Sequence, residues 1–271
     1  MSALFSVKDN IILISGATGV LGSQITQYLA KEGAQVIILG RNPNKVKELV
    51  TAITTNGGKA SALIADVTNK DALQTAAQQV EKEFGKVDVL INAAGGNMPG
   101  AIVTPDQNIT DLEIEEVKKV MELNYLGTLM PIQVFTPLLL KNPAASIINI
   151  SSMAASRPLT RVMGYASAKA AIDNLTKWLS VEFCQKYGKQ YRVNAIAPGF
   201  FLTEQNRTLL TQDDGSLTAR GNQIISHTPM DRFGDPEDLF GAVSFFCSAA
   251  SKFVTGTIIP VDGGFSAYGG V

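Results

Sequence analysis

The chain has 271 residues, 45% of them apolar and 17% charged, with a formal net charge of −1. This length and composition suit a globular α/β protein with a sizeable core and exclude a disordered chain. The charge balance gives no electrostatic case for nucleic acid or an anionic membrane, no apolar run reaches the length of a membrane span, and residues 1–10 do not read as a signal peptide. Cys184 and Cys247 lie in helical patterns without C-x-x-C spacing, which predicts buried, reduced thiols and a cytoplasmic location. His227 is the single histidine, so a multi-histidine metal site is excluded.

Residues 11–14 form a short apolar run that predicts a buried strand, followed at once by Ser15-Gly16-Ala17-Thr18-Gly19-Val20-Leu21-Gly22. Val20, Leu21, Ile25 and Leu29 open an amphipathic helix that Gly33 can cap. A glycine-rich turn between strand and helix presents bare backbone amides, suited to a pyrophosphate. Residues 35–39 predict a second strand ending in Gly40-Arg41-Asn42, with a helix after Pro43. A third strand over 60–65 ends at Asp66-Val67, a helix follows over about 69–84, and a strand over 87–91 ends in Asn92-Ala93-Ala94-Gly95-Gly96. The small residues after that strand would let backbone approach a bound ring. Strands alternating with helices at this spacing predict βαβ units and a parallel sheet.

Residues 97–110 are a polar loop, and 111–140 a helical region that Pro131 and Pro137 should interrupt or kink. Within it Asn124 stands among Val120, Met121, Leu123 and Leu126, either as a satisfied buried amide or as a functional group. Ile147, Ile148 and Ile150 predict a buried strand with Ser152 at its carboxyl end, where a parallel sheet faces its ligand crevice. A loop carrying Arg157 and Arg161 leads to a helix with Ala168, Ile172, Leu175 and Leu179 at helical spacing. Tyr165 and Lys169, four apart, share a face of that helix. A hydroxyl, a phenol and an ammonium therefore converge: the ammonium favours the phenolate and lowers its pKa, the phenol passes a proton, and the serine orients a carbonyl oxygen. Trp178 is expected to pack at an internal or subunit surface. A strand over 191–197 ends in Pro198-Gly199, the long segment 200–228 reads as a binding loop or lid, a helix runs over about 235–249, and a last strand over 257–260 precedes Asp262-Gly263-Gly264. The expectation is one domain over 1–271, a doubly wound Rossmann-like parallel sheet of about seven strands with helices on both faces.

S-G-A-T-G-V-L-G, D-V at Asp66, N-A-A-G at Asn92, Asn124, Ser152, Y-A-S-A-K, P-G-F-F-L-T and V-D-G-G together resemble the short-chain dehydrogenase/reductases over nearly the whole chain. The resemblance implies a tetrad: Tyr165 as general acid/base, Lys169 lowering its pKa and holding the nicotinamide ribose, Ser152 orienting the substrate oxygen, and Asn124 holding a relay water. It implies a cofactor site of Gly16, Thr18, Gly19, Val20, Leu21, Gly40, Arg41, Asn42, Asp66, Val67, Asn92, Ala93, Ala94, Gly95, Pro198, Gly199 and Thr203, with Tyr165 and Lys169. It also implies pairing of the helices that carry Asn124 and Tyr165, commonly in a homotetramer, with Phe135, Leu138–Leu140, Leu175 and Trp178 as the apolar surface. The chain departs from the family pattern in Ser15 for threonine, Val20 at the middle glycine of the turn, and Ala93 for a second asparagine.

A narrower resemblance, to the D-mannonate oxidoreductase (fructuronate reductase) branch, rests on N-A-A-G-G-N, P-L-T-R-V, A-P-G-F-F-L-T-E-Q-N-R, D-G-S-L-T, H-T-P-M-D-R-F-G and V-D-G-G-F-S-A-Y. It implies a sugar-acid substrate, with related keto-uronates, such as the deoxy-keto monomer from alginate, left open. A uronate carboxylate calls for an arginine fork, for which Arg157, Arg161 and Arg207 are candidates, with Asn97 beside them and His227 a weaker choice. At the end of the second strand Gly40 replaces the acidic residue of NAD-preferring sites, and Arg41 follows, which predicts NADP(H) with NAD(H) as the alternative. A catalytically silent dinucleotide sensor is the reading from a different class. A third, an epimerase or dehydratase of the longer sugar-nucleotide relatives, shares the tyrosine and lysine but needs a larger carboxyl-terminal region.

Overall fold

Strands that are buried on both faces read as continuous apolar runs, and the inner strands of the sheet here are built from them, while the two edge strands are partly exposed. The computed structural model describes residues 3–203 and 207–270; Glu204, Gln205 and Asn206, part of the expected lid and of its T-E-Q-N motif, lie outside the described residues. Strands β1 (Ile11–Ser15), β2 (Gln35–Gly40), β3 (Lys59–Ile64), β4 (Val89–Asn92), β5 (Ala145–Ile150), β6 (Tyr191–Pro198) and β7 (Ile258–Val261) form a sheet in the order β3-β2-β1-β4-β5-β6-β7. Every neighbouring pair is parallel. Side chains alternate between two cores. Ile12, Ile14, Val36 and Ile38 join one, with Leu29 and Phe246, while Leu13, Ile37, Leu39 and Leu90 join the other, with Leu73 and Phe135. The fold is the expected Rossmann-like α/β sheet.

The connecting helices begin where their caps say they should. In α1 (Val20–Lys31) Gly19 is the N-cap. In α2 (Pro43–Thr55) the Asn42 side chain accepts from Asn44 and Lys45 amides, with Pro43 first in the helix. In α3 (Lys70–Phe84) Asn69 accepts from the Ala72 amide, and Gly85 ends the helix in the left-handed region. The chain walks outward from β1 through β2 to β3, then returns to lay β4 against the other side of β1. That reversal opens a crevice at the carboxyl ends of β1 and β4, where ligands of such sheets bind.

The expected interruption in the 111–140 region is present, but the prolines are not its site. Helix α4 (Ile114–Met121) runs into a π-helical turn, Glu122–Leu126, and then α5 (Gly127–Leu139), which contains both Pro131 and Pro137. The extra residue of the π turn carries Asn124 inward, where its amide donates to the Val120 carbonyl at 2.8 Å and the Gly96 carbonyl at 2.7 Å. Farther on, α6 (Met163–Lys186) follows β5. Within the expected lid lie α7 (Arg207–Leu210) and α8 (Ala219–Ser226), and the 235–249 helix is a 3₁₀ turn, Pro236–Leu239, running into α9 (Phe240–Cys247).

Burial corrects the expected subunit surface. Phe135, Leu138, Leu139 and Leu175 are buried in this chain's own core and cannot face a second copy, whereas Trp178 is 58% exposed and so is not internal packing. Cys247 is buried as expected, its thiol pushed up to about 12 by that burial despite nearby Arg192, while Cys184 is half-buried. Among the described residues no helix is long and apolar enough to cross a membrane. Because Phe135 is fully enclosed, Phe135→Ala should destabilise the protein by about 3–5 kcal/mol in urea unfolding, and a loss below about 1 kcal/mol would contradict its core position.

Candidate active site

The crevice starts from a close approach of two strand ends. Gly16 has φ of 67°, and a Cβ there would lie 2.4 Å from the Ala94 amide nitrogen, so the turn after β1 presses on the backbone after β4 as only glycine permits. The Gly19 amide donates to the Gly16 carbonyl at 3.0 Å and closes the turn. Val20, at the position where the resembling family has glycine, is the first residue of α1 and has no positive φ, so the turn accommodates it.

Two cavities of about 400 and 360 Å³ run along this crevice and share Gly16, Gly19, Ala93 and Gly95. The smaller is lined by Thr18, Gly40, Arg41, Asn42, Asp66, Val67 and Ala94. Burial works to raise the Asp66 carboxyl, but the Thr68 amide and hydroxyl, bonded at 2.9 and 2.7 Å, and the Arg41 guanidinium hold it below its ordinary value. Lys45, in the first turn of α2, also lines this cavity with Arg41. Sequence reading missed it, since nothing in the pattern separates it from the other lysines of α2. Asn42 is committed as a helix cap. Asn92 sits behind the cleft, its amide donating to the Asn149 side chain at 3.0 Å across β4 and β5.

The larger cavity is lined by Val20, Leu21, Ser152, Tyr165, Lys169, Pro198, Gly199 and Thr203, with Ser151, Phe200 and Phe201 in addition. Ser152 leaves the end of β5 extended and caps a short 3₁₀ turn. Its hydroxyl interacts with the Tyr165 phenol. Lys169, buried, donates from Nζ to the Ile150 carbonyl at 2.7 Å and lies 5.5 Å from the Tyr165 ring centre. Asn124 and Lys169 flank Gly95 so closely that a Cβ on it would be 2.7 Å from Asn124 Oδ1 and 3.2 Å from Lys169 Nζ. The structure thus brings Asn124, Ser152, Tyr165 and Lys169 to one place.

Their electrostatics differ from the expectation in one respect. Burial pushes the Tyr165 phenol above its ordinary value, and the Ser152 hydrogen bond offsets this only in part. Burial also lowers Lys169, to about 8, against the pull of Asp173. The protein's own groups therefore keep Tyr165 protonated at neutral pH, the form that donates to a carbonyl oxygen, while Lys169 is charged below about pH 8.

The candidate arginines separate. Arg157 spends its Nε and a terminal nitrogen on the Ser266 carbonyl, tying the loop after Ser152 to the carboxyl-terminal segment. Arg207 is exposed on α7. Arg161 is half-buried and held with φ of 77°, its carbonyl accepting from the Val103 amide at 3.0 Å. Its guanidinium acts on Arg220 of α8, which burial and this like charge together lower from its ordinary value. Neither arginine has a carboxylate partner among the described residues. Arg220 escaped sequence reading because only the fold sets it beside Arg161. Asn97 has a buried side-chain nitrogen without a hydrogen-bond partner and lines neither cavity. His227 ends α8, bonded to the Gln223 carbonyl and set near the Phe265 and Tyr268 rings, in a structural position.

The glycine cradle, the cationic cavity beyond it and the converging Ser152, Tyr165 and Lys169 fit a nicotinamide dinucleotide. A family model described as enoyl-(acyl carrier protein) reductase matches residues 16–266. A structure from Haemophilus influenza, described as that of a candidate D-mannonate oxidoreductase with bound NAD, is 44% identical, with a TM-score of 0.90 and 97% of each chain covered. The 5-keto-D-gluconate 5-reductase of Escherichia coli K12 is 33% identical over 97% of this chain and 98% of its own. A gluconate 5-dehydrogenase from Burkholderia cenocepacia J2315, in complex with NADP and tartrate, is 28% identical with a TM-score of 0.85 over 98% of each chain. The chain belongs to the short-chain dehydrogenase/reductase family and is a nicotinamide-dependent oxidoreductase.

Proposed function

We propose that the protein interconverts a keto group and a secondary alcohol on a sugar acid of the D-fructuronate/D-mannonate type, with reduction by NADPH favoured. The observation that carries this reading is the pair Arg161 and Arg220, two guanidinium groups close enough for one to lower the other and without a carboxylate partner among the described residues, Arg161 standing in the loop between Ser152 and Tyr165. Sugar-acid oxidoreductases among the relatives support it. The nicotinamide, when bound, supplies the hydride in reduction and accepts it in oxidation. Tyr165 donates its phenolic proton to the substrate oxygen, Ser152 orients that oxygen, and Lys169 holds the ribose end of the cofactor. Asn124 fixes the Gly96 backbone and positions a water that returns the proton to Tyr165. The 200–228 segment acts as a lid over the substrate. The single-domain chain works as a homotetramer in the cytoplasm, and Trp178 and Val181, exposed on α6, are apolar surface left for association.

Removing only the transferable proton tests the acid/base role. Tyr165→Phe should retain fold and cofactor binding with less than about a tenth of native kcat, and a variant above that level shows the proton comes from elsewhere. Substrate charge is tested by Arg161→Ala, which should raise KM about ten- to a hundredfold for a keto-uronate and little for a neutral ketone; equal effects would remove the arginine from carboxylate binding.

Cofactor choice rests on Gly40, Arg41 and Lys45. No carboxylate at position 40 repels a 2′-phosphate, and the two cations flank the space it would take. The kcat/KM for NADPH should exceed that for NADH, and Arg41→Ala should lower the NADPH value selectively. Gly40→Asp should move the ratio toward NADH, with Val46 turning aside because the new Cβ would approach it to 2.8 Å. A native enzyme faster with NADH refutes the preference.

A further inference from the structure

One half-buried carboxylate near the cluster, Asp173, has no part in the reaction described above. Three consecutive residues at the end of β5 each meet one residue of α6, and the helix residues are spaced four apart. The Ser152 hydroxyl meets Tyr165, the Ile150 carbonyl accepts from Lys169 at 2.7 Å, and the Ser151 hydroxyl donates to the Asp173 carboxylate. Ser151 is buried, and its amide is fixed on the Ile196 carbonyl of β6 at 2.8 Å, so the hydroxyl has a defined place from which to hold Asp173. Tyr165, Lys169 and Asp173 therefore form one stripe along the helix, each met by one residue of the same strand end.

We propose that Asp173 is a positioning residue for Lys169: anchored by Ser151, it keeps the buried ammonium charged and aimed at the cofactor and at Tyr165. An ammonium out of water needs a counter-charge or loses its proton. Among the described residues Asp173 is the charged group that acts on Lys169, and it opposes the burial that lowers the amine. Asp173 is acted on in turn by Lys177, one turn farther along the helix, and by Lys169, while Ser151 bonds it directly. The other titratable group beside Lys169 is the Tyr165 phenol, neutral at these pH values. Ile150 and Ser151 supply only a carbonyl and a hydroxyl. The stripe gives Asp173 a reason for its place that helix packing alone does not.

The inference rests on the reading of Tyr165 and Lys169 as the acid/base pair, and its test separates the two. The dissociation constants of NADPH and NADH are measured by fluorescence from neutral to alkaline pH for the native protein, Asp173→Asn and Tyr165→Phe. Native affinity should fall as pH rises through about 8, where Lys169 loses its proton. In Asp173→Asn, whose amide oxygen still accepts from Ser151, the midpoint should move down by roughly half to one pH unit while the melting temperature stays near native. An unmoved midpoint, including one accompanied by a uniform loss of activity at every pH, marks a merely structural tie and overturns the inference. Should Asp173→Asn fail to fold, Ser151→Ala is read instead: a smaller shift in the same direction supports the role, and an unmoved midpoint refutes it. A native protein with no alkaline fall, together with a fully active Tyr165→Phe, overturns the reading of the pair and the inference with it.

Discussion

A buried ammonium is the constraint on which the rest of this site depends. Lys169 is enclosed by protein, and an isolated cation in that setting would release its proton well below its ordinary value. The fold gives it the Ile150 carbonyl at 2.7 Å and the Asp173 carboxylate nearby, which leaves it charged at neutral pH. Its surroundings follow from that need. Residue 95 must be glycine, because Asn124 Oδ1 and Lys169 Nζ already occupy the space a side chain would take. The π turn exists at the one place that delivers Asn124 to the Gly96 backbone. Strand β5 must end where it does, since its last residues meet α6 one by one.

The sheet supplies the second half of the site by its topology. The change of winding direction between β3 and β4 leaves the ends of β1 and β4 touching through Gly16 and Ala94, and the cleft on either side of that contact divides into two cavities. Charge is distributed unevenly between them. Arg41 and Lys45 line one cavity and Lys169 the other, so cations stand along the crevice in which a dinucleotide would lie.

Much of this was legible in the sequence because it is carried by local chemistry. Continuous β-branched runs specified buried strands, Pro43 announced a helix start, and the spacing of Tyr165 and Lys169 placed them on one face without any tertiary knowledge. What escaped depends on which elements the fold sets side by side. Arg220 is one of several arginines until α8 comes against the loop of Arg161, and Asp173 is an ordinary helix acid until Ser151 reaches it. The prolines misdirected the reading of 111–140: a proline disrupts a helix by losing a donor, yet α5 absorbs two, while the π turn arises where Asn124 bonds carbonyls on two segments. Phe135 and Trp178 were grouped as one surface because both are apolar and lie on helices that the family resemblance pairs across subunits, whereas apolar character does not show which face of a helix meets the sheet. The Tyr165 pKa was misjudged since a neighbouring cation is visible in Y-x-x-x-K, whereas the burial that raises the phenol is not.

The central claim is that a keto-acid is reduced in this cleft with its carboxylate held by arginine. It is tested most directly by following nicotinamide absorbance with the native enzyme, NADPH and two substrates matched in carbon skeleton, D-fructuronate and the corresponding neutral ketose. The account predicts turnover with the keto-uronate at a kcat/KM at least about tenfold above that for the neutral sugar, the least that one charge-assisted contact contributes. Equal values for the two, or turnover of the neutral sugar alone, would contradict it.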